Sequence, residues 1–184
     1  KTVSESVLEE LRQVYPWDDA LKLFCIAILR VCYPGIKDYQ LKEYYDNSFL
    51  SEIYPAVGLS KNTVSKFIKD RGRNCSRIFT FMQNRAKSIK MNHHILIDGT
   101  LKTNDSKINS LSNFSRKAKL KGRKDISVIY AFDLEAMEPI CSKCYPGNML
   151  DVTAYEDFIS TNNITRGVIV ADKGFPSSMA EQYY

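Results

Sequence analysis

Asp98 and Asp172 are the two residues around which chemistry can be built. Each closes a short apolar, β-branched run. His94-Ile95-Leu96-Ile97 leads into Asp98-Gly99-Thr100, and Gly167-Val168-Ile169-Val170-Ala171 leads into Asp172-Lys173-Gly174-Phe175. Runs of this length between turn residues read as buried strands. A strand that buries its body and ends on a carboxylate delivers charge where ligands gather in helix-covered sheets. Two carboxylates brought together repel each other unless a cation lies between them, so the pair predicts a divalent metal site at Asp98 and Asp172. Mg²⁺, or Mn²⁺ in its place, suits a few hard carboxylate oxygens. Such ions activate a water or a 3′-hydroxyl and stabilise the leaving oxygen of a phosphodiester displacement. The plainer alternative is that each Asp only caps the turn that follows it, as Asp commonly does. The matching contexts of the two argue against it.

A metal-dependent site for phosphodiesters needs cations to hold the polyanion. The chain carries a formal net charge of +5, but unevenly. Residues 60–124 hold 17 Lys and Arg against 3 acidic residues, while both flanking segments are net acidic. A basic block around Asp98 is the electrostatic footprint of a nucleic-acid surface, although a merely solvated basic face would look the same. Two parts of the block stand out. Ser60 is a good N-cap for a helix whose Val64, Phe67 and Ile68 face inward and whose Lys61, Lys66 and Lys69 face out. With the turn at Val57-Gly58 before it, the segment 55–71 has the outline of a helix-turn-helix recognition element, an outline that any capped basic helix shares. Arg116, Lys117, Lys119, Lys121, Arg123 and Lys124 form a run too charged to pack, which reads as a mobile loop able to neutralise phosphates.

The elements that position these residues follow from periodicity. Ala20, Leu21, Phe24, Ile28 and Val31 recur at helical spacing from Trp17, and Pro34-Gly35 ends the run. Shorter helices are expected from Asp38 to Tyr45 and around Phe49–Tyr54, and a longer one from Arg73 to Lys90. After the Asp98 strand the pattern dissolves beyond Thr100. Ile126–Phe132 and Glu138–Tyr145 then form a hairpin about Asp133–Met137. A helix opens at Asp151 and ends at Asn162-Asn163, the Asp172 strand follows, and a last helix begins after Pro176. The expected fold is α/β (α+β): a helical region over 1–91, then a mixed sheet with flanking helices over 92–184.

Other chemistries find less support. Cys141 and Cys144 form a lone CxxC without the further ligands that tetrahedral zinc needs, and read as buried strand residues. His93 and His94 read as strand-start residues with no nucleophile nearby. Gly147 and Gly174 read as turn glycines, and neither GxGxxG nor a Walker pattern is present. Five cysteines without framework spacing point to a reducing interior. No run approaches the length of a membrane span.

Taken in series, Ile95-Leu96-Ile97-Asp98-Gly99-Thr100, Tyr130–Pro139, Tyr145-Pro146-Gly147-Asn148 with Asp151, and Val168–Phe175 resemble a bacterial insertion-sequence DDE transposase. The resemblance covers roughly residues 93–178. It implies a ribonuclease-H-like core carrying a β-insertion, with Asp98 and Asp172 as the first two carboxylates of the triad. It further implies Mg²⁺ or Mn²⁺ as cofactor, double-stranded DNA (element ends and target) as partner, a homodimer on DNA, no membrane, and a cytoplasmic, nucleoid-associated location. The family's third carboxylate is a Glu in a Tyr-x2-Arg-x3-Glu-x6-Lys setting. These residues contain no such motif, and Glu181 follows Asp172 too closely to take the role. With Lys1 in place of an initiating Met, this leads us to expect part of a longer enzyme, incomplete before its third carboxylate. The alternatives are a catalytically inactive DNA-binding remnant or competitor, a nuclease on structured DNA, and a helix-turn-helix regulator. The last leaves the two Asp-terminated strands unexplained.

Overall fold

The structure is a computed structural model, and it describes residues 3–104, 106–115, 122–149 and 151–171, with side chains at all of these except 3–5 and 151. Asp172, Arg116, Lys117, Lys119, Lys121 and the helix expected after Pro176 lie outside the described residues. The fold is α+β. The described residues form seven helices and one four-stranded mixed sheet. Two compact units divide between Phe81 and Met82.

The first unit is helical: α1 (Val3–Arg12), α2 (Trp17–Cys32), α3 (Leu41–Asp46), α4 (Phe49–Ile53), α5 (Lys61–Arg73) and the start of α6 (Ser76–Lys87). Its core gathers Leu8 and Leu11 from α1, Ala20, Phe24 and Leu29 from α2, Leu41 and Tyr45 from α3, and Val64 and Phe67 from α5. Helix α1 is absent from the sequence expectation, although Leu8 and Leu11 sit one turn apart. Val31 keeps the phase of α2 but is 76% exposed, because the last turn runs out past the core together with Tyr33. The helix expected unbroken from Arg73 to Lys90 is interrupted and shortened. Asn74 leaves helical geometry, and the Ser76 hydroxyl donates to Asn74 Oδ1 at 2.6 Å. Short polar side chains of this kind offer the backbone alternatives to the helical ladder. The end comes at Lys87, where the Ser88 hydroxyl donates to the Arg85 carbonyl at 2.7 Å.

The second unit holds β1 (His94–Thr103), β2 (Asp125–Asp133), β3 (Glu138–Pro146), α7 (Asp151–Asn162) and β4 (Val168–Ala171). The sheet order is β3-β2-β1-β4. Strands β1, β2 and β3 are successively antiparallel, and β4 lies parallel to β1 after the crossover through α7. A parallel neighbour requires such a crossover, and α7 supplies it. On one face Ile95, Ile97, Ile129 and Ala131 alternate inward and bury against Phe158, Ile159 and Ala154 of α7. Burying a large apolar side chain of this type contributes about 1.5–3 kcal/mol, which is what fixes the register of β1.

Two expectations change here. Strand β1 does not end at Asp98: the ladder with β2 continues through Thr103, pairing Gly99 to Ile129 and Thr103 to Asp125. Asp98 is therefore mid-strand, one residue past the last pair with β4. Cys141 and Cys144 are not both buried. Cys141 is buried and Cys144 exposed, because residues three apart in a strand face opposite sides.

Candidate functional site

Asp98 alternates with Ile97 along β1, so its side chain stands on the sheet face opposite the α7 core. It is half-buried and held from two sides. Its Oδ1 accepts the Gly99 N–H at 2.8 Å, and its Oδ2 accepts the Tyr130 hydroxyl at 3.0 Å across the β1–β2 ladder. The two residues are register partners, which places both side chains on one face. Donation to the Asp98 carboxylate, and that carboxylate's charge, raise the Tyr130 phenol above its ordinary pKa. Each Asp98 oxygen keeps a further lone pair, so a hard cation could be held without breaking either contact. The last pair of the parallel ladder is Ile97 with Ala171, and Asp172 is the next residue of the chain.

Gly167 lets β4 start where it does. Its φ is +86°, and a Cβ there would lie 2.8 Å from Ile95 Cγ1 and 2.9 Å from the His93 carbonyl. Gly147 is not only a turn residue, as the sequence implied. It is buried, it donates its N–H to the Leu111 carbonyl at 3.2 Å, and a Cβ would fall 2.3 Å from the Asp125 carbonyl oxygen. The segment before the basic run thus packs against the outer end of the β2–β3 hairpin. Asn113 exchanges backbone hydrogen bonds with Asp125, and the Ser115 hydroxyl donates to Asp125 Oδ2 at 2.7 Å.

Lys61, Lys66 and Lys69 are exposed along α5, as their spacing implied. The Ser60 cap is present: its Oγ accepts the Thr63 N–H at 3.4 Å. A shallow concavity on this helix is lined by Asn62, Ser65, Lys66, Lys69, Asp70 and Arg73. The buried stripe runs through Val64 and Phe67, with the half-buried Arg71 one turn further on. Ile68, expected to face inward, lies beside that stripe and is 38% exposed. The turn before α5 is fixed by Tyr45, whose hydroxyl donates to the Tyr54 carbonyl and accepts the Val57 N–H at 3.2 Å. Of the second basic run, Arg123 and Lys124 are described and exposed, and the Lys124 ammonium lies 5.7 Å from the centre of the Phe114 ring.

A further cluster, which the sequence reading missed, forms at the other end of β1. His93 Nδ1 lies 2.7 Å and 2.9 Å from the two oxygens of Asp133, whose side chain is 4% exposed. His94 Nδ1 lies 2.6 Å from Glu135 Oε1, and the His94 N–H donates to Glu135 Oε2 at 2.6 Å. His93, Asp133 and Glu135 each offer one ligand atom within 4.8 Å of the others, a group that could hold a metal ion. Forty residues separate His93 from Asp133, so only the β1–β2 register joins them. Paired acidic residues at the hairpin turn and adjacent histidines at a strand start were the available signal.

No family model matches the chain, and neither a curated protein nor a solved structure matches it. Among the described residues no helix is long and apolar enough to cross a membrane.

Proposed function

We propose that this chain carries DNA-binding and catalytic residues of a bacterial insertion-sequence DDE transposase, acting on phosphodiesters with Mg²⁺ or Mn²⁺. The observation that carries the reading is the parallel register of β1 and β4. Ile97 pairs with Ala171, and each is followed by an aspartate, Asp98 and Asp172. Neighbouring strands lie about 4.8 Å apart, a spacing at which two carboxylates can share one cation. A mixed sheet with a helix crossing from β3 to a β4 parallel to β1 also fits the ribonuclease-H-like core that the resemblance implies.

On this reading Asp98 and Asp172 hold the ion, and the Gly99 N–H and Tyr130 hydroxyl fix the Asp98 carboxylate in one rotamer before DNA arrives. An ion held there would supply positive charge to the phosphodiester oxygens and lower the pKa of a bound water or hydroxyl. Lys61, Lys66 and Lys69 in the first unit, and Arg116, Lys117, Lys119, Lys121, Arg123 and Lys124 in the second, hold backbone phosphates. In the complete reaction water cleaves a phosphodiester at the element end, and the freed 3′-hydroxyl displaces a phosphodiester oxygen of target DNA. A second reading is a DNA-binding protein that does not nick. It is favoured by the contacts the Asp98 carboxylate already makes, one oxygen to the Gly99 N–H and the other to the Tyr130 hydroxyl, which satisfy it without an ion.

The experiment is a titration of labelled duplex DNA and supercoiled plasmid with the chain and with its Asp98→Ala/Asp172→Ala variant, with and without Mg²⁺. Salt-steep binding with nicking lost in the variant supports the first reading. Equal binding without nicking supports the second. No binding at low salt removes both.

A further inference from the structure

We propose that His93, Asp133 and Glu135, with His94 beside them, form a binding site for a divalent transition ion of the zinc class. This site is separate from the carboxylates proposed to hold magnesium. Its donor chemistry sets it apart: imidazole nitrogens suit zinc and its neighbours, whereas magnesium prefers oxygen alone. The geometry is close to what such an ion needs. At metal–ligand bonds of about 2.0–2.2 Å, tetrahedral ligands lie roughly 3.3–3.5 Å apart. Here the three ligand atoms already fall within 4.8 Å of one another, and the two imidazoles each contact a carboxylate at 2.6–2.7 Å.

The frame around the cluster is fixed before any ion binds. Asp133 is buried at the end of β2, and its Oδ1 accepts the N–H groups of Glu135 and Ala136 at 3.1 and 2.9 Å. These bonds lock the hairpin turn and aim both acidic side chains at the start of β1. The His93 carbonyl accepts the Val168 N–H at 2.7 Å, so the backbone carrying the imidazoles is tied to β4 as well. His93 is half-buried, while His94 and Glu135 are exposed and leave a path for entry. An ion held here would cross-link residues forty positions apart, pinning the β2–β3 turn to the start of the strand that carries Asp98.

The test uses untagged, chelator-stripped protein titrated with Zn²⁺ in a calorimeter, with thermal unfolding followed in parallel. One saturable Zn²⁺ per chain and a rise in Tm are expected. Glu135→Gln, at an exposed position, should keep the circular dichroism spectrum and weaken Zn²⁺ binding at least about 100-fold, since even supporting partners of metal ligands are worth 10–100-fold. His93→Asn should do the same. The exposed cysteines Cys32, Cys75 and Cys144 are the competing explanation. Their triple replacement by serine should leave the affinity unchanged. The proposal is overturned if no saturable binding occurs, if the cysteine variant loses it, or if Glu135→Gln and His93→Asn bind as tightly as the parent. DNA binding and nicking play no part in these readouts, so either proposal can fail without the other.

Discussion

Ile97 lies opposite Ala171 on parallel neighbouring strands, and each is the residue immediately before an aspartate. Cα atoms on adjacent strands stand about 4.8 Å apart, inside the range of roughly 4.4–6.8 Å that a disulfide spans. In a background with the five native cysteines replaced by serine, Asp98→Cys with Asp172→Cys should therefore cross-link under mild oxidation. Asp98→Cys with Lys173→Cys, one residue out of register, should cross-link poorly. The measurement is gel mobility before and after reduction. Failure of the first pair to form would detach Asp172 from the site proposed around Asp98.

The exposed lysines on α5 make a different prediction. If Lys66 and Lys69 contact phosphates, each should account for about one unit in the slope of log affinity against log salt. Lys66→Ala and Lys69→Ala should each flatten that slope by about one without changing the circular dichroism of the helix, since both side chains are exposed. An unchanged slope in both would mean that this face does not touch DNA, whatever the basic run after Ser115 does.

What the sequence made legible was periodic. The Asp98 strand, the hairpin, the helix from Asp151 and the strand before Asp172 follow from β-branched runs and turn residues, and these are the parts that frame the candidate carboxylates. What stayed hidden was pairwise. Nothing in Gly99–Thr103 announces a strand, because that stretch is extended by its β2 partners rather than by its own apolar alternation. Tyr130 looked like any strand aromatic until the register set it against Asp98. The His93–Asp133 contact is likewise a property of the β1–β2 register. The break at Asn74 was missed for the opposite reason: the flanking apolar pattern continues across it, while two short polar side chains redirect the backbone.

Gly167 tests whether the start of β4 is as tightly determined as it looks. Gly167→Ala must place a Cβ against Ile95 Cγ1 and the His93 carbonyl at a φ of +86°. Left-handed geometry costs an L-residue roughly 1–2 kcal/mol, and overpacking typically adds about 1–3 kcal/mol. A loss of about 2–4 kcal/mol in urea unfolding is expected, with the m-value unchanged. A loss below about 0.5 kcal/mol, the range of ordinary surface substitutions, would mean that β4 can slip away from β1 and that the register argument for Asp172 is weak.

The polar cluster on α7 gives the pH prediction. Asp157 receives the Lys143 ammonium at 2.5 Å and the Tyr145 hydroxyl at 2.7 Å. Burial pushes the Asp157 carboxyl up, but the donors Lys143, Tyr145 and Thr161 and the lysine charge outweigh it, and the net shift is below the ordinary value of 3.8. A depressed folded pKa means stability that is present above the unfolded value and is lost as pH falls through the folded one. The Asp157 side chain is 45% exposed, so solvent screening keeps the effect near that of a surface pair, about 0.5–1 kcal/mol. The stability gap between the parent and Asp157→Asn should therefore be constant near neutral pH and close below about pH 4. At the alkaline end Tyr145 is raised well above 10, first by burial and then by Asp157. Its contribution is full below the ordinary phenol value and declines as pH rises through the folded one. Because burial is the larger cause, Asp157→Asn should lower the Tyr145 pKa only in part, which a ¹³C-tyrosine NMR titration reads directly. A Tyr145 that titrates normally in the parent would mean that it does not donate to Asp157 in solution.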